Sequence, residues 1–306
     1  MIGIKSIGSY LPSSRVSNLE RMEEFSIDEE FIEDKIGIRS LAREKKLSVT
    51  EMCCRAYEDL FSKKSVSIDN VDCIVLCTQN GGGKLPHTST YIQKKLGASK
   101  DCAVFDLSLG CSGYVYGLSI MKAFMNENGL SCGLFFTCDP YSSILEPSDK
   151  NTELLFGDAA TVTLLTDDPL FEIKKCAFYN DGEMAPALTV KENGKLYMDG
   201  RSVFNFVLRY APGNIKKCLE VNKVRTDEID LYLFHQGSKF IVESLAKRLA
   251  LDLSKVPFMC AEYGNTISSS IPLMLQHYLN NNNSAILLSG FGVGLGAATI
   301  ILKRVK

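Results

Sequence analysis

The chain has no tryptophan, only three histidines, and no Cys-x-x-Cys pair among its eleven cysteines. The cysteines are odd in number, scattered, and mostly set inside apolar runs such as Asp72-Cys-Ile-Val-Leu-Cys77. That pattern argues against a disulfide framework or a metal site and for reduced thiols in a cytoplasmic protein. No charge of one sign dominates. A net charge of −2 leaves no electrostatic footprint for nucleic acid. The N-terminus lacks a charged segment followed by a long apolar one, so no signal peptide is expected. A long apolar run, Ser284 to Leu302, is broken by four glycines. Two buried strands around a tight turn are expected there, not a membrane span. Gly81-Gly-Gly-Lys84 lacks the Gly-Lys-Ser/Thr ending of a phosphate loop and reads as a flexible loop.

What is present is ordinary in bulk. Of 306 residues, 45% are hydrophobic and 23% charged, enough for two domains or one duplicated unit with a large core. The informative residue is Cys111, in Asp106-Leu-Ser-Leu-Gly-Cys-Ser-Gly113. There a strand-like run (102–107) meets a helix-like run (114–125). Helix N-terminal N–H groups favour thiolate, so this position suits a nucleophile with a lowered pKa. A buried structural cysteine is the other reading. His235 ends the apolar run 229–234, where open α/β sheets place chemistry; it also suits a core histidine. Asn265, in Tyr263-Gly-Asn-Thr-Ile267, stands at another expected strand-to-helix junction, as a functional amide or a helix cap.

An internal duplication ties the three together. Asp72-Cys-Ile-Val-Leu-Cys-Thr-Gln79 echoes Asp230-Leu-Tyr-Leu-Phe-His-Gln236. The segments 104–111 and 256–265 follow, each leading into a helix. Each half closes on a similar strand pair, at 157–165 and 295–302. Cys111 and Asn265 hold matching places in the repeats, and His235 holds the place of Thr78 or Gln79. The expected halves are 1–166, with the cysteine, and 167–306, with the histidine and asparagine.

In this order and spacing, the chain resembles the β-ketoacyl-(acyl carrier protein) synthase III family of thiolase-fold condensing enzymes. The resemblance runs from Ile4-Lys-Ser-Ile-Gly-Ser-Tyr-Leu-Pro12, through Phe31-Ile-Glu-Asp-Lys-Ile-Gly-Ile38 and Leu155-Phe-Gly-Asp-Ala-Ala160, to Gly290-Phe-Gly-Val-Gly294. It implies an α/β thiolase-like fold of two duplicated βαβαβαββ-type halves in five layers, α-β-α-β-α. It implies that Cys111 accepts an acyl group from a thioester. His235 and Asn265 then stabilise the enolate formed when a malonyl thioester loses CO2. The Cys111 N–H and that of Val293, which replaces the family's usual glycine, are assigned to the acyl oxyanion. Phe291 matches an aromatic that packs and gates beside the histidine.

Substrate positions depart from the family. Phe31 replaces a tryptophan that stacks on adenine, Lys35 replaces an arginine, and Phe240, after Lys239, stands where relatives commonly carry another arginine. The grip on coenzyme A is thereby weakened in favour of an acyl carrier protein. Lys35, Arg209, Lys239, Lys247 and Arg248 are candidates to meet its acidic surface. The departures suggest a divergent member from a secondary-metabolite or surface-polysaccharide pathway, not the housekeeping initiator of fatty-acid synthesis. Leu85 is expected near the acyl pocket, and His87 in an exposed loop. The resemblance further implies a homodimer with Ala103-Val-Phe-Asp-Leu107 as the edge strand. No cofactor is expected besides the thioester substrates. Two alternatives stand: transfer of the Cys111 acyl group to an oxygen, nitrogen or other carbon nucleophile, and a non-catalytic partner subunit of a condensing complex. Degradative thiolase chemistry typically uses a second reactive cysteine in the C-terminal glycine-rich turn, where this chain has Phe291 and Val293.

Overall fold

Cys73–Cys77 is apolar at all five positions and buried at all five, as a strand covered on both faces should be. It is β2 of a computed structural model that describes residues 1–64, 66–83 and 85–305; the Lys84 end of the glycine loop lies outside them. With β1 (Gly3–Tyr10), β3 (Ala103–Leu107), β4 (Cys132–Cys138) and β5 (Ala160–Thr166) it forms the order β3-β2-β4-β5-β1. β2 runs parallel to β3 and β4, while β5 is antiparallel to β4 and β1. The second half has β6 (Phe171–Ile173), β7 (Ala177–Asn180), β8 (Leu231–Phe234), β9 (Ala285–Gly292) and β10 (Gly296–Arg304). Its order is β8-β9-β10-β7, parallel between β8 and β9 and antiparallel thereafter. Strand for strand this repeats β2-β4-β5-β1. Short β6 pairs with both β1 and β10 and joins the two sets.

The duplication is incomplete at one strand. The segment 256–260, expected as the counterpart of β3, forms no strand. Pro257 there has no N–H for a ladder. The Gln236 side chain substitutes for a neighbouring strand: Oε1 accepts from the Met259 N–H at 2.8 Å and Nε2 donates to the Pro257 carbonyl at 3.4 Å. Asn265 therefore follows irregular chain, and a 3₁₀ turn (Ile267–Ser269) comes before the next α-helix.

Helices cover both sheets and fill the space between them. The outer helices of the first half are α1 (Val49–Lys63) and α2 (Ser89–Leu96). Ser48 and Glu51 start α1 as a reciprocal capping box. In the second half α4 (Gly200–Asn222) and α5 (Lys239–Arg248) lie outside. Asp199 caps α4 by accepting from the N–H groups of Arg201 and Ser202. Its buried Val203, Phe206, Val207, Ala211, Ile215 and Cys218 recur at helical spacing. Between the sheets sit α3 (Gly113–Glu127) and α6 (Ser270–Leu275). Tyr114, Leu118 and Met121 of α3 share one core with Val75 and Phe135 of the first half and Ile286 and Ile300 of the second. Gly117 permits this packing, since a Cβ there would lie 1.9 Å from the Phe135 ring. The result is the five-layer α-β-α-β-α arrangement of the thiolase-like fold. The run at 284–302 is the β9–β10 hairpin, and no helix among the described residues is long and apolar enough to cross a membrane.

Candidate active site

Three chain segments deliver the three expected residues to one cleft of about 840 Å³. Cys111 comes from the turn between β3 and α3, His235 from the end of β8, and Asn265 from the turn before α6. All three line the cleft, together with Phe31, Lys35 and Phe291. A second cleft of about 800 Å³, bordered by Lys5, Lys64 and His277, contains none of the three.

Burial sets the protonation states. Cys111 is 5% exposed, and burial pushes its thiol up to about 12. The backbone N–H groups of Val293 and Cys111 act in the opposite direction, and the nearby Asp139 charge adds to the rise. The expected lowering by the helix terminus is thus overridden: desolvation of a thiolate outweighs the donors around it. His235, 2% exposed, is driven down to about 3 by the same desolvation. Its imidazole is neutral at every ordinary pH. The Ser270 hydroxyl lies 2.7 Å from Nδ1. When that hydroxyl donates, Nε2 carries the ring proton and is a donor.

Asn265 is held by backbone on both sides. Its N–H donates to the Leu155 carbonyl at 2.8 Å, and its carbonyl accepts from the Gly157 N–H at 2.9 Å. The Ile267 N–H donates to Oδ1 at 2.9 Å. That contact identifies the oxygen, so the other side-chain terminus, Nδ2, is the free donor. Ile267 itself has φ +53°, a left-handed conformation costly for a β-branched residue.

The glycine-rich turn takes up its unusual torsions at glycine. Gly292 and Gly294 have φ +151° and +136°, and Val293 is spared a positive φ. A Cβ on Gly292 would lie 2.7 Å from the Cys111 sulfur. Val293 thus keeps its N–H toward the thiol although glycine is absent there. The Phe291 ring meets the His235 ring edge-on, with centroids 5.8 Å apart.

The mouth is aromatic and basic. Phe240 stacks on Phe204 at 5.2 Å, and Lys35 Nζ lies 5.8 Å from the Phe240 centroid. Arg201, at the start of α4, lines the same cleft. Sequence reasoning missed it, because a helix-start arginine after Asp199 looks like an ordinary solvated charge. Two expected substrate residues are not brought to the cleft. Lys239 turns aside: Nζ donates to the Glu33 carbonyl at 3.0 Å and lies 3.6 Å from Asp34. Leu85 is 92% exposed beside Pro86 and Gly83, away from Cys111 within one chain. His87 sits in the exposed loop and contacts Thr90.

Two family models match, 3-oxoacyl-[acyl-carrier-protein] synthase III over residues 105–182 and its C-terminal counterpart over 219–304. The β-ketoacyl-[acyl-carrier-protein] synthase III of Streptococcus gordonii is 31% identical over 98% of both chains. A crystal structure of a 3-oxoacyl-(acyl-carrier-protein) synthase III superposes with a TM-score of 0.93 at 30% identity, covering 99% of each chain. The Aquifex aeolicus enzyme gives 0.93 at 27% identity, over 99% of this chain and 100% of that one. With its nucleophile candidate, neutral imidazole and oriented amide in one cleft, the chain belongs to the 3-oxoacyl-[acyl-carrier-protein] synthase III family of condensing enzymes.

Proposed function

We propose that the protein condenses an acyl group held on Cys111 with a malonyl thioester. The Cys111 sulfur attacks the donor thioester carbon, and the carrier thiol leaves with the proton. The bound malonyl thioester then loses CO2, and its electron pair is held as an enolate facing His235 and Asn265. The enolate carbon attacks the Cys111 acyl carbon. A C–C bond forms, the Cys111 C–S bond breaks, and the thiol regains a proton. In this reading residues 1–166 carry the nucleophile, and 167–306 carry the enolate donors and the Val293 N–H that serves the acyl oxygen. The observation that carries it is the fixed orientation of Asn265: Ile267 occupies Oδ1, leaving the N–H donors an enolate needs. Incubation with an acyl thioester and a carboxyl-labelled malonyl thioester tests it. One labelled CO2 per β-ketoacyl product is expected. Acyl mass on the protein without CO2 release favours transfer to another nucleophile, and no acyl mass favours the partner-subunit alternative.

The acyl donor is a carrier protein. Phe31 and Phe240 offer apolar faces at the mouth, and at Phe240 the ring stands where relatives commonly carry a phosphate-gripping guanidinium. A carrier protein brings its own pantetheine arm and needs no nucleotide grip. Lys35, Arg209, Lys247 and Arg248 are exposed, and the Arg201 side chain is at the mouth. Carrier-linked acyl groups acylate Cys111 faster than the same groups on coenzyme A, and added salt erodes the advantage. Equal rates insensitive to salt refute this. The same losses at nucleotide-gripping positions suggest a dedicated pathway over housekeeping initiation.

The working unit is a homodimer. β3 ends the sheet, and all five of its residues are only half-buried. An open apolar edge invites pairing with a second copy. Phe178, 41% exposed, packs on Tyr116 at 4.6 Å and adds apolar surface. Sedimentation at micromolar concentration should give twice the 33.8 kDa chain mass. A stable species at the single-chain mass overturns it.

A further inference from the structure

We infer that Asp139 is a positioning residue for decarboxylation, clamping the turn that aims both Asn265 and His235. This rests on the enolate reading above. Asp139 follows β4 and is fully buried. Among the described residues no lysine or arginine pairs with it. Its charge is held by donors from both repeats. Oδ1 accepts from the Gln79 N–H at 2.7 Å and the Thr78 hydroxyl at 3.2 Å. Oδ2 accepts from the Ser268 hydroxyl, and the Ser268 N–H bears on the same carboxylate.

Ser268 is the residue after strained Ile267, whose N–H locks Asn265. Two residues further on, Ser270 holds Nδ1 of His235. Both enolate donors therefore hang from one turn. A left-handed isoleucine persists only when its surroundings over-determine it. Ser269, bonded to Thr137 at 2.7 Å, and Ser268, bonded to Asp139, are the side chains that fix this turn to the first half. Without the Asp139 clamp, Ile267 relaxes toward negative φ, and Asn265 loses the contact that fixes its amide.

The clamp titrates. Burial raises the Asp139 carboxyl to about 6, against its hydrogen bonds. The titratable groups facing it are the Cys77, Cys111 and Cys138 thiols and the Tyr141 phenol, all kept neutral by burial. Asp106 and Asp158 lie beyond Cys77 and Cys138 and are engaged with the N–H groups of Thr88 and Glu44. Protonating Asp139 removes an acceptor from the clamp, so decarboxylation falls as pH drops through about 6. His235 cannot produce that limb, since it titrates near 3. Unfolding does not produce it through this group either. Between the ordinary carboxylate value and 6, native Asp139 binds a proton the unfolded chain does not, so its contribution to stability rises as pH falls.

The test compares the wild type, Asp139→Asn and Ser268→Ala by labelled CO2 release, acyl mass on Cys111 and thermal melting. Asp139→Asn keeps an acceptor for Gln79 and Thr78 but loses the charge. It should lower decarboxylation kcat about 10–100-fold, the scale of a small misplacement of reacting groups, and abolish the acid limb. Acylation should stay within about threefold. Ser268→Ala should lower decarboxylation in the same direction and keep the limb. Wild-type rates and pH profile in Asp139→Asn overturn the inference alone. Equal loss of acylation and decarboxylation alongside a lower melting temperature assigns Asp139 a merely structural role and overturns it as well. A wild type that acylates but releases no CO2 removes the enolate reading, and the inference with it.

Discussion

Cys111→Ser and Cys111→Ala never gain acyl mass, and product formation falls on the order of 10⁴-fold or more, the scale seen when a nucleophile is removed. Substitution of any other cysteine leaves acylation intact. The ten others lie away from the cleft. Only Cys111 combines a position on the cleft with two backbone N–H groups aimed at its sulfur. In the proposed reaction those N–H groups become the donors for the oxygen of the attacked thioester. The thiol is pushed up to about 12, so the resting nucleophile is protonated. Thiolate then grows about tenfold per pH unit, and alkylation of Cys111 by iodoacetamide should climb without a plateau from pH 7 to 9. A plateau below pH 8 would mean that a group not yet identified stabilises the thiolate. A hydroxylamine-labile acyl group on Cys111→Ser removes Cys111 from its role.

Cys111 and Asn265 were legible because the duplication gives them matching places in the two repeats, and His235 because it closes an apolar run that forms a strand. The strand order of the first half is repeated in the second wherever such apolar runs recur. It fails at 256–260, where Pro257 and the Gln236 amide replace a ladder. Val256-Pro-Phe-Met-Cys260 is as apolar as its counterpart, so hydropathy alone points to a strand; Pro257 is the signal against it, and the Gln236 contacts have no sequence signal. Ser268, Ser269 and Ser270, just past the Asn265 segment, carry no sequence signal of a role. Serine runs usually mark solvated turns, whereas here all three are buried, each bonded in a different direction. Asp139 was passed over for the same reason: an aspartate before a proline looks like a turn residue. The thiol of Cys111 was misjudged in sign because a sequence shows the helix that follows but not the depth of burial. Leu85 and Lys239 were placed by resemblance alone. Neither has a local signal for where its side chain goes, and Lys239 was captured by the Glu33 carbonyl.

His235→Ala and Asn265→Ala separate the two steps of the reaction. Each should lower CO2 release from a malonyl thioester by about 10²–10³-fold, the loss expected for one oxyanion donor. Each should spare acylation of Cys111 to within about tenfold, because the acyl oxyanion is served by other groups, the Cys111 and Val293 N–H. The timing is the physical reason. In the proposed reaction, charge reaches the His235 and Asn265 donors only after the acyl-enzyme exists. Both donors cost no reorganisation, since Ser270 holds the imidazole and Ile267 holds the amide before substrate arrives. His235 is neutral well below neutrality, so it enters as an N–H donor and not as imidazolium. Asn265 cannot ionise at all. The residual CO2 release of each variant should therefore show no new titration between pH 6.5 and 9. Asn265→Asp is the sharper probe: a carboxylate there offers acceptors to an enolate that needs donors, and it should fall below Asn265→Ala. Equal loss of acylation and decarboxylation in both alanine variants would replace the donor roles with a shared acid–base role, in which His235 takes the Cys111 proton during acylation.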